Sequence, residues 1–258
     1  EVSVASLRPY SFPRTSEAEG IAPEFAFEVI QGSQITGRAE KSALTGITAD
    51  LQFRVNHNGG ELALGEINGD WDMSTDSFTG SGSVALTQDF MVGATEASGE
   101  RLESWASYVT AGSSIDLNIA ANTFEQATVD LVASLRKDEQ EVATASLAGS
   151  YRLGDEEGFT GTAHFELTQP VMWHSGSRFD FDLALGTSMD AQMEKGAITG
   201  AQGALHMSAK EGEGEKAHLA MDNLNYTPGA PVSGMGTVEV SQDIDVYQGA
   251  GGTSLHLA

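Results

Sequence analysis

Three aspartates near one turn are the residues whose type and spacing come closest to a metal site. Asp70, Asp72 and Asp76 supply carboxylate oxygens within a short segment, and oxygen-rich loops of this kind can bind Ca²⁺. The segment lacks the glycine at the sixth place and the glutamate at the twelfth place of an EF-hand loop. We therefore take a solvated acidic turn as the main interpretation and a cation site as the alternative.

No residue pattern typical of a catalytic site occurs in the chain. There is no cysteine, no Gly-x-Ser-x-Gly motif and no glycine-rich phosphate loop. His164 lacks the closely spaced partners of a metal site and occupies a strand position that carries Ser83 or Thr237 in related segments. Alternating carboxylates such as Asp180 and Asp182 could serve a glycosidase, but on an outward strand face they are usually solvated. The sequence predicts a non-catalytic protein without a cofactor.

An internal repeat determines the elements that would position these residues. Phe78–Gln88 returns as Phe159–Gln169, 81 positions later, and as Val232–Gln242, 73 positions beyond that. Apolar and polar residues alternate along each segment, which is typical of half-buried strands. We predict an all-β fold of about twelve antiparallel strands in three four-strand repeats. These strands would form a strongly curved sheet, a barrel or a half-open trough.

The repeat also predicts how the chain is divided. The strand Phe78–Val92 is expected to run without a break. Gly80 has no side chain and marks a place where this strand can bend. The segment Ala97–Tyr108 is the one stretch expected to form a short helix. We expect the repeats to share one domain, divided into an N-terminal arm at 1–21, repeats at 22–99, 113–176 and 177–252, a linker with a short helix at 100–112, and a tail at 253–258.

The net charge restricts the partners and the compartment. The chain carries 37 acidic and 13 basic residues, for a net charge of −24. Nucleic acid and anionic lipid headgroups demand clustered Lys and Arg, so we expect no nucleic-acid partner. The sequence has no apolar run long enough for a transmembrane segment. An acidic, cysteine-free, strand-rich chain is expected in the periplasm, or outside the cell or on its surface, in a Gram-negative bacterium.

Large apolar residues that are not shared by the three segments are the candidates for a ligand-binding surface. Residues common to all three segments are expected to be scaffold, so a site should use residues found in one. Trp173 has the parity of the buried strand face, so core packing is its main interpretation and ligand binding is the alternative. On an open sheet, the same residues would line an apolar groove. The candidates are Trp71, Phe90, Met172 and Trp173.

The alternating pattern of Phe159–Gln169 and its two related segments resembles the repeated amphipathic strands of AsmA/TamB-type bacterial envelope proteins. The resemblance covers residues 22–248 and is one of pattern, so it assigns a role to no single residue. It implies strands that stack into a long trough with an apolar interior that carries lipids.

These observations lead to two functional expectations. The first is a non-catalytic secreted or periplasmic protein that binds an apolar ligand, such as a lipid, on the concave face of its sheet. The second is a structural cell-surface or assembly protein whose long strands and edges pair with neighbouring subunits or with an envelope protein partner.

Overall fold

The computed structural model describes residues 2–5, 10–12, 25–95, 104–153, 158–174, 180–212, 214–241, 244–248 and 254–257. Every regular element in these ranges is a β-strand, so the predicted all-β class is confirmed. In the same ranges, no helix has the length and apolar character needed to cross a membrane.

Most described strands fall into three similar blocks of five, with one short strand after each of the first two blocks and two after the third. Two strands precede the blocks: β1 (Val2–Ala5) and β2 (Tyr10–Phe12). Block one has β3 (Phe25–Val29), β4 (Gln34–Glu40), β5 (Ala43–His57), β6 (Gly60–Asp72) and β7 (Ser77–Leu86), then β8 (Phe90–Thr95). Block two has β9 (Trp105–Val109), β10 (Ser114–Ala120), β11 (Thr123–Lys137), β12 (Gln140–Arg152) and β13 (Gly158–Leu167), then β14 (Val171–His174). Block three has β15 (Asp180–Leu183), β16 (Ser188–Glu194), β17 (Ala197–Glu211), β18 (Gly214–Tyr226) and β19 (Ser233–Val240), then β20 (Ile244–Gln248) and β21 (Ser254–Leu257).

Strand lengths recur from block to block. The second to fifth strands have 7, 15, 13 and 10 residues in blocks one and two. In block three they have 7, 15, 13 and 8 residues. The recurring group contains five strands, so repeats of four strands are not confirmed, and the predicted total of about twelve strands is too low.

Some of the additional strands come from two-residue hairpins that contain no glycine. Lys41 and Ser42 connect β4 to β5 with φ angles of 49° and 67°. Ala121 and Asn122 connect β10 to β11 with φ angles of 47° and 65°. Positive φ at both central residues is a feature of type I′ turns, whose twist matches that of paired strands. A search for Gly and Pro punctuation misses these turns and counts two strands as one.

Two predicted elements are wrong within the described residues. The unbroken strand Phe78–Val92 is interrupted, because β7 ends at Leu86 and β8 begins at Phe90. The predicted helix Ala97–Tyr108 falls partly outside the described residues, and its described end lies in strand β9. Aromatic and β-branched residues in Trp105–Val109 favour a strand over the helical tendency of the preceding sequence.

Most described strands belong to one large antiparallel sheet that does not close, so the barrel alternative is wrong. The fifteen-residue strand β5 pairs with β6 on one side and with both β3 and β4, end to end, on the other. In turn β7 pairs with β6 and with β10 of the next block. The N-terminal segment also joins this sheet, since β1 pairs with β4 and β2 with β3. Strands β20 and β21 form a separate two-stranded sheet.

A buried hydroxyl stabilises the junction between the first two strands of each block. Ser33 Oγ donates a hydrogen bond to the Gln52 carbonyl oxygen at 3.0 Å and accepts one from the Gln52 amide at 2.9 Å. The hydroxyl thereby satisfies backbone groups of the long strand that face the gap between two short strands. The same pair of bonds joins Ser113 to Val132 and Thr187 to His206.

The chain forms two compact units. Unit 1 comprises Glu1–Gly93, Tyr108–Ala133 and Leu147–Gly161, and unit 2 comprises Ala94–Ser107, Ser134–Ser146 and Thr162–Ala258. Few apolar side chains of the described residues are buried in either unit. They are Val55, Leu62 and Ala63 in unit 1, and Val142, Ala143, Leu167 and Ala191 in unit 2.

Candidate functional site

One face of the sheet in unit 1 is apolar from strand to strand. Side chains on it stay well exposed, with Trp71 at 41% and Phe27 at 49% of their full accessible area. Residues paired across neighbouring strands point to the same face. Three rows of residues paired across neighbouring strands lie on this face: Ile47 with Trp71 and Phe78; Leu51 with Ile67, Gly82 and Leu117; and Phe27 with Val55, Ala63 and Leu86. On the other face, a polar row pairs Asp50 with Asn68, Ser81 and Asn118.

The ligand-site candidates Trp71 and Phe90 do not come together in unit 1. Trp71 pairs with Ile47 near the start of β5, whereas the Phe90 ring packs edge-on against His57 at the end of β5, with 5.4 Å between ring centroids. Ten residues of extended strand span about 33 Å. Phe90 lies in a smaller groove of about 270 Å³ that mixes polar and apolar residues, lined by His57, Gly60, Glu61, Leu62, Gln88, Asp89, Met91 and Tyr108.

The other two ligand-site candidates lie on strand β14. Met172 is exposed and pairs with Asp182, which pairs in turn with Ser208, so it points to the polar face of the sheet. Trp173 pairs with Phe181 in the alternate row, and its side chain lies outside the described residues. Met172 therefore does not contribute to an apolar surface on the other face.

Of the three aspartates proposed as the alternative cation site, Asp70 and Asp72 have separate side-chain partners. Asp76 has a positive φ of 51°, and its backbone carbonyl oxygen accepts a hydrogen bond from Asn122. Asp70 accepts a hydrogen bond from the Thr48 hydroxyl. Asp72 accepts bonds from the Ser74 amide and hydroxyl at 2.7 and 2.6 Å, and these bonds lower the pKa of Asp72. Across the described residues, no group of three or more His, Asp or Glu side chains is arranged to hold a metal ion.

Polar groups form a groove in unit 1 and an ion pair in unit 2. The groove in unit 1 has a volume of about 660 Å³, and Thr48, Asp50, Asn68 and Asp70 contribute to its lining. In unit 2, His164 Nδ1 lies 2.7 Å from Asp190 Oδ1, and this hydrogen bond raises the pKa of His164. The histidine side chain is substantially exposed.

A phenylalanine covers a pair of glycines on the apolar face of block one. Gly69 and Gly80 face each other across β6 and β7, and the Phe78 ring lies directly over them. A Cβ built on Gly69 would stand 2.5 Å from the ring carbon Cζ of Phe78. The sequence predicts a bend at Gly80, but the structure uses the glycine for close packing. Block two repeats the arrangement with Gly149, Gly161 and Phe159.

Block three replaces this covered pair with an apolar groove. Val232 occupies the position of Phe78 and Phe159 in the repeated sequence and is 64% exposed. A register shift between Gly203 and Leu205 accompanies the positive φ of 55° at Asn223. This β-bulge makes two residues oppose one, so Leu224 pairs with Gly203 on the apolar face.

The groove of block three has a volume of about 390 Å³. Two apolar rows cross it, Met189–Gly203–Leu224 and Ala191–Ala201–Tyr226. Gly203 forms part of the floor, where an added Cβ would lie 2.5 Å from the Ser188 carbonyl oxygen. Phe165 and Val232 complete the apolar lining, and none of the lining residues is charged.

Sequence reasoning missed this groove, although one signal for it was present. Comparison of the three segments shows Val232 where the others have Phe78 and Phe159. The meaning of this change depends on the glycine pair below the ring and on the bulge at Asn223. Neither follows from alternation alone.

Comparison with models of known protein families, with curated proteins and with solved structures found no match to this chain.

Proposed function

We propose that the protein is a non-catalytic binder of apolar ligands, such as lipid acyl chains, and that the block-three groove is its principal site. The observation that carries the proposal is the replacement of a phenylalanine-covered glycine pair by an open apolar groove. Its volume lies at the lower end of the range for small-molecule sites, which are mostly apolar and have a few polar groups.

The lining favours the uncharged part of a lipid. No Lys, Arg or His is among the residues that line the groove, and the chain carries a net charge of −24. A carboxylate or phosphate headgroup would therefore find no cation in the groove and would be repelled by the chain as a whole. An acyl chain gains about 0.8 kcal/mol for each buried methylene, so uncharged acyl ligands should bind best.

The setting of the site supports a lipid more than a polar metabolite. Many large apolar side chains of the described residues are exposed, and in unit 1 they form continuous rows on one face. Exposed apolar patches of this kind mark ligand grooves or interaction surfaces. A chain that carries or shields lipids in the periplasm or at the surface of a Gram-negative cell has a use for such a surface.

Titration with an uncharged fluorescent probe tests the proposal. N-phenyl-1-naphthylamine should gain fluorescence on binding, and monopalmitoylglycerol should displace it. Val232→Phe places a ring at the groove and should weaken probe binding at least about tenfold, the equivalent of 1.4 kcal/mol. The apolar face of unit 1 supplies background binding of the probe. The affinity compared between the variant and the native protein is therefore that of the saturable component of binding.

Met235→Phe is the matched control. Met235 lies three residues further along the chain, in β19, where it pairs with Asp222 and points to the face opposite the groove. The substitution Met235→Phe therefore adds the same ring away from the groove. Its probe affinity should equal that of the native chain. Unchanged affinity in Val232→Phe, with a native circular dichroism spectrum, would contradict the proposed site.

A further inference from the structure

The last strand of block three has a paired strand on one side only within the described part of the chain. β19 is in register with β18, whereas its counterpart β7 pairs with β6 and with β10. Seven of the eight residues of β19 are exposed. Among the described residues, β19 therefore presents a free edge at the place where block one continues into block two.

The hydrogen-bonding groups of this edge can be assigned residue by residue. The Ser241 amide donates to the Lys216 carbonyl oxygen at 2.8 Å, towards β18. Because amides alternate in direction along a strand, those of Val238 and Val240 point to the free side. The counterpart of Val240 is Leu86, whose amide donates to Ser113 of the next block at 2.8 Å.

The strand that would complement this edge is present at the other end of the chain. β4 is the counterpart of β10, but it pairs on its outer side with β1, which has four residues. By contrast, β10 pairs with the ten-residue strand β7. The segment Ser3-Val4-Ala5 matches Ser83-Val84-Ala85, so β1 occupies the position of β7 with fewer residues.

We propose that β19 of one molecule pairs with β4 of a second molecule of this chain, displacing β1. The register of β7 on β10 sets the pairs: Val238 opposite Ile35, Thr237 opposite Thr36, and Gly236 opposite Gly37. Branched apolar and Thr–Thr pairs stabilise adjacent strands, and like charges destabilise them. This register places no two like charges opposite each other. The partner strand is thus a second copy of an edge that the chain already uses internally.

This contact joins two different surfaces, so its repetition would build open, head-to-tail assemblies instead of closed dimers. Each added molecule would continue the apolar face of the sheet. β1 competes for β4 in each molecule, and two chains of net charge −24 repel each other. Assembly should therefore depend on concentration and strengthen with salt, which screens the repulsion. The inference does not depend on ligand binding in block three.

Two proline substitutions in the full chain test the competition, with opposite expected signs. Val238→Pro removes an amide that faces the free edge. It should raise the association midpoint, the protein concentration at which half of the chains are associated, at least about tenfold. Val4→Pro removes the corresponding amide between β1 and β4, frees β4, and should lower the midpoint. Sedimentation velocity measures both, and Val238→Ala, which keeps the amide, is the control. Monomers up to about 1 mM for both the native chain and Val4→Pro would overturn the proposal.

Disulfide trapping tests the partner and the register. The chain has no cysteine, so Thr36→Cys and Thr237→Cys can be purified separately and mixed under oxidation. The mixed disulfide should dominate, because these residues face each other in the proposed register. Val238→Cys points to the other face and should not form a disulfide with Thr36→Cys. Dominant disulfides between two Thr237→Cys chains would show β19 pairing with itself, which would overturn the proposal.

Discussion

Blocks one and three contain the same strand pairs, but the apolar face of each block ends in a different way. In block one, the Phe78 ring lies over the Gly69–Gly80 pair, and the backbones approach closely beneath it. In block three, Val232 replaces the ring, and the bulge at Asn223 brings Leu224 to the same face. One arrangement fills the space above the strands, and the other leaves a groove of about 390 Å³.

A binding site can therefore arise by removal of a side chain from a repeated scaffold. Loss of one aromatic ring uncovers the strands, and one inserted residue supplies a new apolar wall. The buried hydroxyls at Ser33, Ser113 and Thr187 occupy equivalent places in all three blocks. Scaffold and site can therefore be varied separately by mutation.

The largest expected effect is on the glycines beneath the ring. Gly80→Ala would place a Cβ 2.3 Å from the Asn68 carbonyl oxygen, which belongs to a neighbouring strand. Backbone atoms cannot move away cheaply, so we expect a loss of about 3 kcal/mol in the free energy of unfolding. At Gly234, the nearest atom is the flexible Leu224 Cδ2 at 2.8 Å, so Gly234→Ala should cost about 1 kcal/mol. Urea unfolding of both variants measures the two losses in the free energy of unfolding. Equal losses would contradict the difference in backbone packing between Gly80 in block one and Gly234 in block three.

Removing the ring from block one should make it resemble block three. Phe78→Val truncates a half-buried side chain and should lower the free energy of unfolding by about 2 kcal/mol. It also uncovers the space above Gly69 and Gly80, next to Trp71. Titration with N-phenyl-1-naphthylamine should then show a second saturable site. An unchanged number of sites in a folded variant would mean that the Asn223 bulge, and not the missing ring, creates the groove.

The shared hydroxyls should affect stability and leave the groove unchanged. Ser113→Ala leaves the backbone amide of Val132 without the buried partner that it has now, whereas the Val132 carbonyl oxygen keeps its hydrogen bond from the Thr110 amide. Unpaired buried polar groups cost about 1–2 kcal/mol, and thermal or urea unfolding should show a loss of this size. The affinity of the block-three site for the probe should not change, and a parallel loss of affinity would argue against a separation of scaffold and site.

The features of the fold that side-chain alternation reveals were predictable from the sequence. Alternation identifies the strands, and the offsets between Phe78, Phe159 and Val232 identify related segments. Alternation does not detect a type I′ turn at Lys41 and Ser42, because positive φ at non-glycine residues leaves no mark in the composition. The number of strands was therefore underestimated.

The site was less predictable than the fold for a related reason. The rule that a site uses residues found in one segment points towards Val232, but the large aromatics Trp71 and Phe90 drew attention instead. Trp71 and Phe90 lie beside opposite ends of β5, next to Ile47 and His57. This separation depends on strand register. The Asn223 bulge reverses the face on which the following residues lie, and a one-residue shift of this kind depends on the pairing of the whole strand.

The smallest expected effect concerns the polar face, where the blocks also differ. His164 has a raised pKa because it bonds to the Asp190 carboxylate, whereas the related positions carry Ser83 and Thr237. The folded-state pKa lies above the unfolded one, so the stabilisation is fully present below about pH 6.5. It is lost as the pH rises through the folded-state pKa. The pair is partly exposed, so its contribution should stay below about 0.5 kcal/mol. NMR titration should show the His164 pKa falling in Asp190→Asn, while probe affinity for the block-three groove stays constant across the same pH range. A groove affinity that follows the His164 titration would connect the two faces and break the assignment of binding to the apolar face alone.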